Sequence, residues 1–412
     1  MSEVASIRQS MDQLDALARV GLQVRPERCA RVRNRHASCR RCADACTSGA
    51  LSFAGGELHV ERGLCVGCGT CATVCPTCAL EAWAPNDGEL LAVARRVRSG
   101  NRVVFACSEA LAGVRGAAAS AQVVELACLS RMEESVAASL FADGVRDIVL
   151  VHGDCATCAR ATGWESTCLV KRTVETLVEA WGLQASYALS STFPVDVSSA
   201  ENVRAVHSSC AVESADASDS VVAPAEAALA EVAAVATSAA PAPAADSAAS
   251  TSAVRGERPV RRVMLDGTLP HFVPTRRVRL LDSLMNMGEP ASSVVDTRLW
   301  GHVVIDKACC RACRMCTVFC PTGALSSCET PTGGIVIEHY ALECVHCKLC
   351  QDICPGRAIS CGTDVPASLL AQGETRRTEV PAPSWRPGPD QILGRMKPQI
   401  HSREVTLSYA AP

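Results

Sequence analysis

Cys344-x2-Cys347-x2-Cys350-x3-Cys354-Pro355 decides the reading of this 412-residue chain. The same spacing returns as Cys310-x2-Cys313-x2-Cys316-x3-Cys320-Pro321 and as Cys65-x2-Cys68-x2-Cys71-x3-Cys75-Pro76. Three thiols at such short gaps lie on one tight loop and reach three irons of one cubane cluster. The fourth, past a turn, lies nearer a neighbouring cluster, and the proline behind it turns the chain away. Paired Cys-x2-Cys units also describe tetrahedral zinc sites. Zinc explains neither the third thiol, nor the fourth, nor the proline, and all of these come three times.

The two runs in 301–362 complete one another. Cys310, Cys313, Cys316 and Cys354 form one ligand set, and Cys344, Cys347, Cys350 and Cys320 the other. FCPTGALS and ICPGRAIS place small residues after the runs, which suits the helix-to-strand turn of a two-fold βαβ arrangement. This stretch resembles the bacterial two-cluster ferredoxins. The resemblance implies an α+β module that holds two [4Fe–4S] clusters.

The N-terminal run departs from the pattern. It reads Cys39-x2-Cys42-x3-Cys46-Thr47, with no leading cysteine at the expected spacing and His36 standing there instead. His36 can fill the gap, or Cys29 can reach back across ARVRNRHAS. Thiolate is the usual cubane ligand, which favours Cys29. The sets are then Cys29, Cys39, Cys42 with Cys75, and Cys65, Cys68, Cys71 with Cys46. Four [4Fe–4S] clusters are expected in all.

Between the modules the texture changes to alternating apolar strands and amphipathic helices, which predicts a small parallel α/β sheet. Cys107 follows the strand VVF, Cys128 follows VVELA, and Cys155 and Cys158 follow DIVLV. All four therefore fall past the carboxyl ends of parallel strands, where open α/β sheets bind ligands. Four thiols meeting there could hold a [2Fe–2S] cluster, with zinc or free thiols as the alternatives. The stretch from FACSEAL to VHGDCATC, with Arg131 and the FADGVRDIVLV strand entry, resembles the delta subunit of methyl-viologen-reducing hydrogenases. That resemblance implies a [2Fe–2S] centre on Cys107, Cys128, Cys155 and Cys158. A second cysteine soon after Cys107 is missing from the likeness.

The expected architecture is therefore two α+β ferredoxin-like modules flanking a small α/β parallel-sheet domain, with a disordered linker. The segments run as an amphipathic helix (1–28), a first two-cluster domain (29–86), the α/β domain (87–185), an Ala/Ser/Pro-rich linker (186–262), a connecting helix segment (263–300), a second two-cluster domain (301–362) and an extended tail (363–412). The linker has few bulky apolar residues with which to offset chain entropy, which predicts two independent halves on a flexible tether. Arg25, Arg28, Arg31, Arg33, Arg35, Arg40 and Arg41 form a basic collar near the first cluster. It reads as solvated loop or as a docking face for an acidic partner.

Composition limits the function. The 26 cysteines and 3% aromatic residues shift the burden of cohesion from side-chain packing to metal ligation. A net charge of −3 argues against a general nucleic-acid binder. The sequence shows no leader-like apolar region and no apolar run long enough to span a bilayer, which predicts a cytoplasmic chain without membrane insertion. With no recognisable catalytic constellation, the expected role is that of an electron-transfer subunit, not an enzyme, serving a flavoprotein, hydrogenase or molybdenum oxidoreductase. The alternatives are a redox-sensing scaffold, or thiol–disulfide chemistry at the middle-domain cysteines. Cys78, Cys168, Cys210, Cys309, Cys328 and Cys361 are left over as small buried or loop thiols.

Overall fold

The computed structural model describes residues 21–112, 122–194, 204–207, 261–264, 266–381, 393–394, 396–400 and 405–407. These belong to one unit of the fold. The helix expected in the first 20 residues, Cys210 and most of the linker lie outside the described residues.

In the first module, short β-rich segments pair around the cysteine loops. Strand β1 (Leu22–Val24) runs antiparallel to β4 (Leu80–Ala82), and β2 (Leu51–Ala54) to β3 (Glu57–Val60). Helix α1 (Thr70–Val74) lies within the complete run and carries Cys71. Gly55 and Gly56, at φ 60° and 85°, supply the two left-handed residues of the tight β2–β3 turn.

The middle domain begins where the Asn86 side chain accepts from Glu89 N and the Glu89 carboxylate accepts from Asn86 N, a reciprocal cap that starts α2 (Asp87–Val97). The β-branched runs become β5 (Arg102–Cys107), β6 (Gln122–Leu126) and β7 (Asp147–Val151), with α3 (Glu134–Ala142) and α4 (Gly163–Ala180) packed on them. Two further strands, β8 (Ser186–Ser190) and β9 (Arg204–His207), complete a parallel sheet of order β8-β7-β5-β6-β9. The linker thus starts later than the expected residue 186. SYALS has the alternating pattern of an edge strand, but it abuts the Ala/Ser-rich region and shares its composition.

The second module repeats the first. Following α5 (Thr275–Asn286) and β10 (Val294–Asp296), β11 (His302–Ile305) and β12 (Leu325–Glu329) lead to β13 (Ile335–Tyr340) and α6 (Leu349–Asp352), then to β14 (Ile359–Gly362). β11 pairs with β14 and β12 with β13, all antiparallel. The tail is extended where β15 (Asp364–Pro366) pairs with β10 and β16 (Thr375–Val380) adds a third strand beside β13, but Ala367–Ala371 between them form a short helix. Val365 and Val380 are buried there, an apolar pattern masked by the surrounding prolines.

The expected independence of the two halves does not hold. Leu280 and Leu284 of α5 share one core with Ala138 of α3, Leu177 and Trp181 of the middle domain, and Trp300 and Val365 of the second half. Ser139 and Ser283 hydroxyls meet at 2.9 Å, and Arg298 grips the buried Glu134 carboxylate through Nε at 2.8 Å and Nη2 at 3.0 Å. The apolar stripe of α5 was legible in the sequence; the surface receiving it lies more than a hundred residues away and was not. Part of the collar is likewise internal, while Arg35 and Arg40 are exposed. Arg33 is buried and donates to the carbonyls of Phe319, Cys320 and Pro270, while Arg25 and Arg28 bind Glu81.

Candidate metal centres

Backbone geometry repeats at every cysteine run. In the three complete runs, the residues on either side of the second cysteine are left-handed: Gly67 and Gly69, Ala312 and Arg314, His346 and Lys348. Such residues curl the chain around the sulfur and cost about 1–2 kcal/mol each when they are not glycine. Three residues beyond each fourth cysteine comes another left-handed position: Gly49, Cys78, Gly323 and Arg357. Cys78 is thus a turn residue of the repeat. Next come a buried alanine and a buried Leu or Ile (Ala50-Leu51, Ala79-Leu80, Ala324-Leu325, Ala358-Ile359) that anchor the turn in the core. The amides of Ala79 and Ala358 donate to Cys75 Sγ and Cys354 Sγ, each at 3.3 Å.

The folded chain brings the expected thiols together. Burial pushes Cys29 up to about 11, with Cys75 and Cys39 adding to the rise. Burial also raises Cys42, helped by Cys75, Cys29 and Cys39, and it raises Cys71, helped by Cys68, Cys65 and Cys46. In the second module burial raises Cys316, with Cys313, Cys310 and Cys354 around it, and Cys350, with Cys347, Cys344 and Cys320. Thiols crowded together in this way are a donor set that becomes thiolate when positive iron stands among them. Cys46, Cys65, Cys68 and Cys71 line a cavity of about 110 Å³. His36 is exposed and receives a hydrogen bond from Arg35 at 3.3 Å, whereas Cys29 is buried beside Cys39 and Cys75.

At the ends of β5, β6 and β7, Cys107, Cys128, Cys155 and Cys158 line one small cavity. Burial, with Cys107, Cys128 and Cys158 nearby, pushes Cys155 up to about 11. Amides of Ala110 and Gly153 donate to Cys107 Sγ at 3.4 and 3.3 Å, and that of Arg160 to Cys158 Sγ at 3.4 Å. Amide donors of this kind favour the ionised sulfur. Among the described residues, no three Cys, His, Asp or Glu side chains converge as closely as a single metal ion requires. The quartets of Cys65 and of Cys107 each line a hollow, an arrangement suited to a cluster whose thiolates sit on different irons.

Some participating residues escaped the sequence reading. Hydroxyls two residues after a cysteine face its sulfur: Ser48 and Cys46 at 3.6 Å, Thr70 and Cys68 at 3.2 Å, Thr77 and Cys75 at 3.7 Å, Ser130 and Cys128 at 3.2 Å, and Thr322 and Cys320 at 3.8 Å. The Cys-x-Ser/Thr spacing carried that signal. A hydrogen bond from the Cys361 thiol pulls Cys344 well below the usual thiol range, and both sulfurs press on the space at Gly301, where an added Cβ would come within 2.8 Å of each. Thr47 stands where the other runs have proline. Its hydroxyl meets that of Thr162 in the middle domain, and Thr162 also donates to the Ala45 carbonyl at 2.9 Å.

Residues 58–81, which span the first complete run, match the model of the 4Fe-4S binding domain family. The match supports ferredoxin-type ligation, at least one [4Fe–4S] cluster and an iron–sulfur electron-transfer role. No curated protein and no solved structure matches the chain. The likeness of the middle domain to the hydrogenase delta subunit has no support in these comparisons. Among the described residues, no helix is long and apolar enough to cross a membrane.

Proposed function

We propose that this chain is a multi-cluster electron carrier, with [4Fe–4S] clusters on the four quartets of the two modules and a [2Fe–2S] cluster on Cys107, Cys128, Cys155 and Cys158. The observation that carries the reading is the pairing of each run's first three thiols with a thiol from elsewhere: Cys75 with Cys29, Cys39 and Cys42, and Cys46 with Cys65, Cys68 and Cys71. The clusters supply one-electron storage. The protein supplies the thiols, the amide and hydroxyl donors that set potentials, and the burial that keeps water away. No bond of a substrate is made or broken by the chain itself; a separate flavoprotein, hydrogenase or molybdenum oxidoreductase in the cytoplasm does so. Thiol–disulfide chemistry at the middle-domain cysteines is the weaker reading, since it needs two thiols and four line the cavity.

Iron and sulfide analysis of anaerobically purified protein tests the reading. Four cubanes and one two-iron cluster require about 18 irons per chain, and the modules alone about 16. Fewer than about 12 would remove the four-cubane assignment.

A further inference from the structure

Thr70 Oγ1 lies 3.2 Å from Cys68 Sγ and 2.7 Å from Ser130 Oγ, which in turn lies 3.2 Å from Cys128 Sγ. A sulfur of the first module is therefore joined to a sulfur of the middle domain through two hydroxyls. The bridge is held from both sides. Ser130 Oγ also lies 3.2 Å from the Cys68 carbonyl, which shares the hydroxyl's one proton with Cys128 Sγ, and Thr73 donates to the Ser130 carbonyl at 2.7 Å. Thr70, Thr73 and Ser130 are all buried. Gly163, at the start of α4, leaves room for the contact: a Cβ there would stand 2.7 Å from Cys128 Sγ and 3.0 Å from Ser130 Oγ.

A second border joins the two modules. Ser38, next to Cys39, donates from N and Oγ to Asp352 Oδ2 at 2.7 and 2.8 Å. Arg41 donates to the carbonyl of His346, next to Cys347, at 3.0 Å. Cys39, Cys313 and Cys347 pack against one apolar cluster that includes Phe319 and Leu349. Within each module the quartets also adjoin: Cys29, Cys42 and Cys75 pack in one cluster with Cys46 and Cys71, and Cys310, Cys316 and Cys354 in another with Cys320, Cys344 and Cys350.

We propose that the five quartets form one unbroken row, joined by the Thr70–Ser130 bridge at one border and the Ser38–Asp352 contact at the other, so that the chain connects two different redox proteins, one at each end. The row starts at the middle-domain quartet and passes through the quartets of Cys65 and of Cys29. It crosses to that of Cys344 and ends at that of Cys310. Both ends reach the surface: Asp154, Ala156 and Thr157 are exposed at one, and Lys307, Cys309 and Arg311 at the other. Each electron given up by a reduced donor protein at one end is matched by one accepted by an oxidised protein at the other, with no bond formed or broken. The proposal rests on the reading that the quartets hold clusters.

Electron paramagnetic resonance on the full chain tests it, with iron and sulfide measured on every sample. In wild-type protein reduced stepwise with dithionite, the centres of the two modules should relax one another, so that the spectrum is not a sum of two isolated pairs. Cys347→Ala should slow relaxation of the Cys29 centre, whereas Cys316→Ala should leave it unchanged. Ser130→Ala should keep the iron count but shift the midpoint potential of the middle-domain centre, because a donor to Cys128 is lost. Magnetically isolated modules in the wild-type protein at full iron content would overturn the row and leave the cluster assignment standing. Low iron content would instead overturn the cluster assignment beneath it.

Discussion

Arg276 and Arg277 are neighbours at the start of α5, yet they reach into different modules. Arg276 donates to the Cys75 carbonyl of the first, and Arg277, lying over Trp300 at 5.2 Å, to the Cys344 carbonyl of the second at 3.4 Å. One turn of helix thus clasps a ligand-bearing segment on each side.

Replacing either arginine by leucine should therefore act on one module at a time. Hydrogen bonds to charged groups contribute about 1.5–3 kcal/mol, so each change should destabilise the fold by about that much. Arg276→Leu should make the first module's iron labile to a chelator, and Arg277→Leu the second's. Equal loss from both modules in either variant would show that the clasp is not divided in this way.

Chain pieces 1–210 and 259–412 produced together should associate and co-purify. Produced apart, the C-terminal piece should aggregate, because Leu280, Leu284 and Trp300 lose their cover. Trp300→Ala in the intact chain should cost about 3–5 kcal/mol in thermal unfolding. Two soluble pieces that ignore each other would contradict the shared core.

Acid should weaken the α2–α5 contact in two opposed stages. Burial pushes Glu133 up, with Asp87 adding to it against Arg279 and Arg276, so its protonation as pH falls comes first and relieves strain. Burial pushes Asp87 up too, but Arg131 and Arg279 outweigh it and hold the carboxyl below its ordinary value of 3.8. Its contribution is present above that value and is lost as pH falls through the lower one. Thermal midpoints should hold or rise slightly toward pH 4.5 and then drop. Asp87→Asn should abolish the drop, and a drop that persists in this variant would assign it elsewhere.

Cys29→Ser should lose about four irons, while His36→Ala should keep all of them. The reverse result would make the exposed imidazole the ligand.

The three complete runs made the thiol groupings of the second module and half of the first readable from spacing alone, because a cubane's geometry fixes the distances between the cysteines proposed to hold it. The strands leading to Cys107, Cys128 and Cys155 were also readable, since VVF, VVELA and DIVLV are β-branched and regularly placed. The assembly was not. Arg33 has nothing in its local sequence to distinguish it from Arg35, yet one is buried against Cys320 and the other is exposed. Packing between segments hundreds of residues apart depends on matching surfaces, and a single chain's periodicity reports one surface at a time. The hydroxyl bridge was hidden for the same reason: Thr70 and Ser130 look like ordinary loop residues until their sulfurs are brought together.

Thr47 gives the irregular N-terminal run a different meaning. Measured against the other three, it looks like a worn copy that has lost its proline. In the fold, the threonine hydroxyl is the group that meets Thr162, and proline has no hydroxyl to offer. An engineer who repaired the motif with Thr47→Pro would bring the run closer to its family pattern while detaching it from the domain beside it. Likeness to a consensus and fitness for this place in the chain pull in opposite directions at that residue.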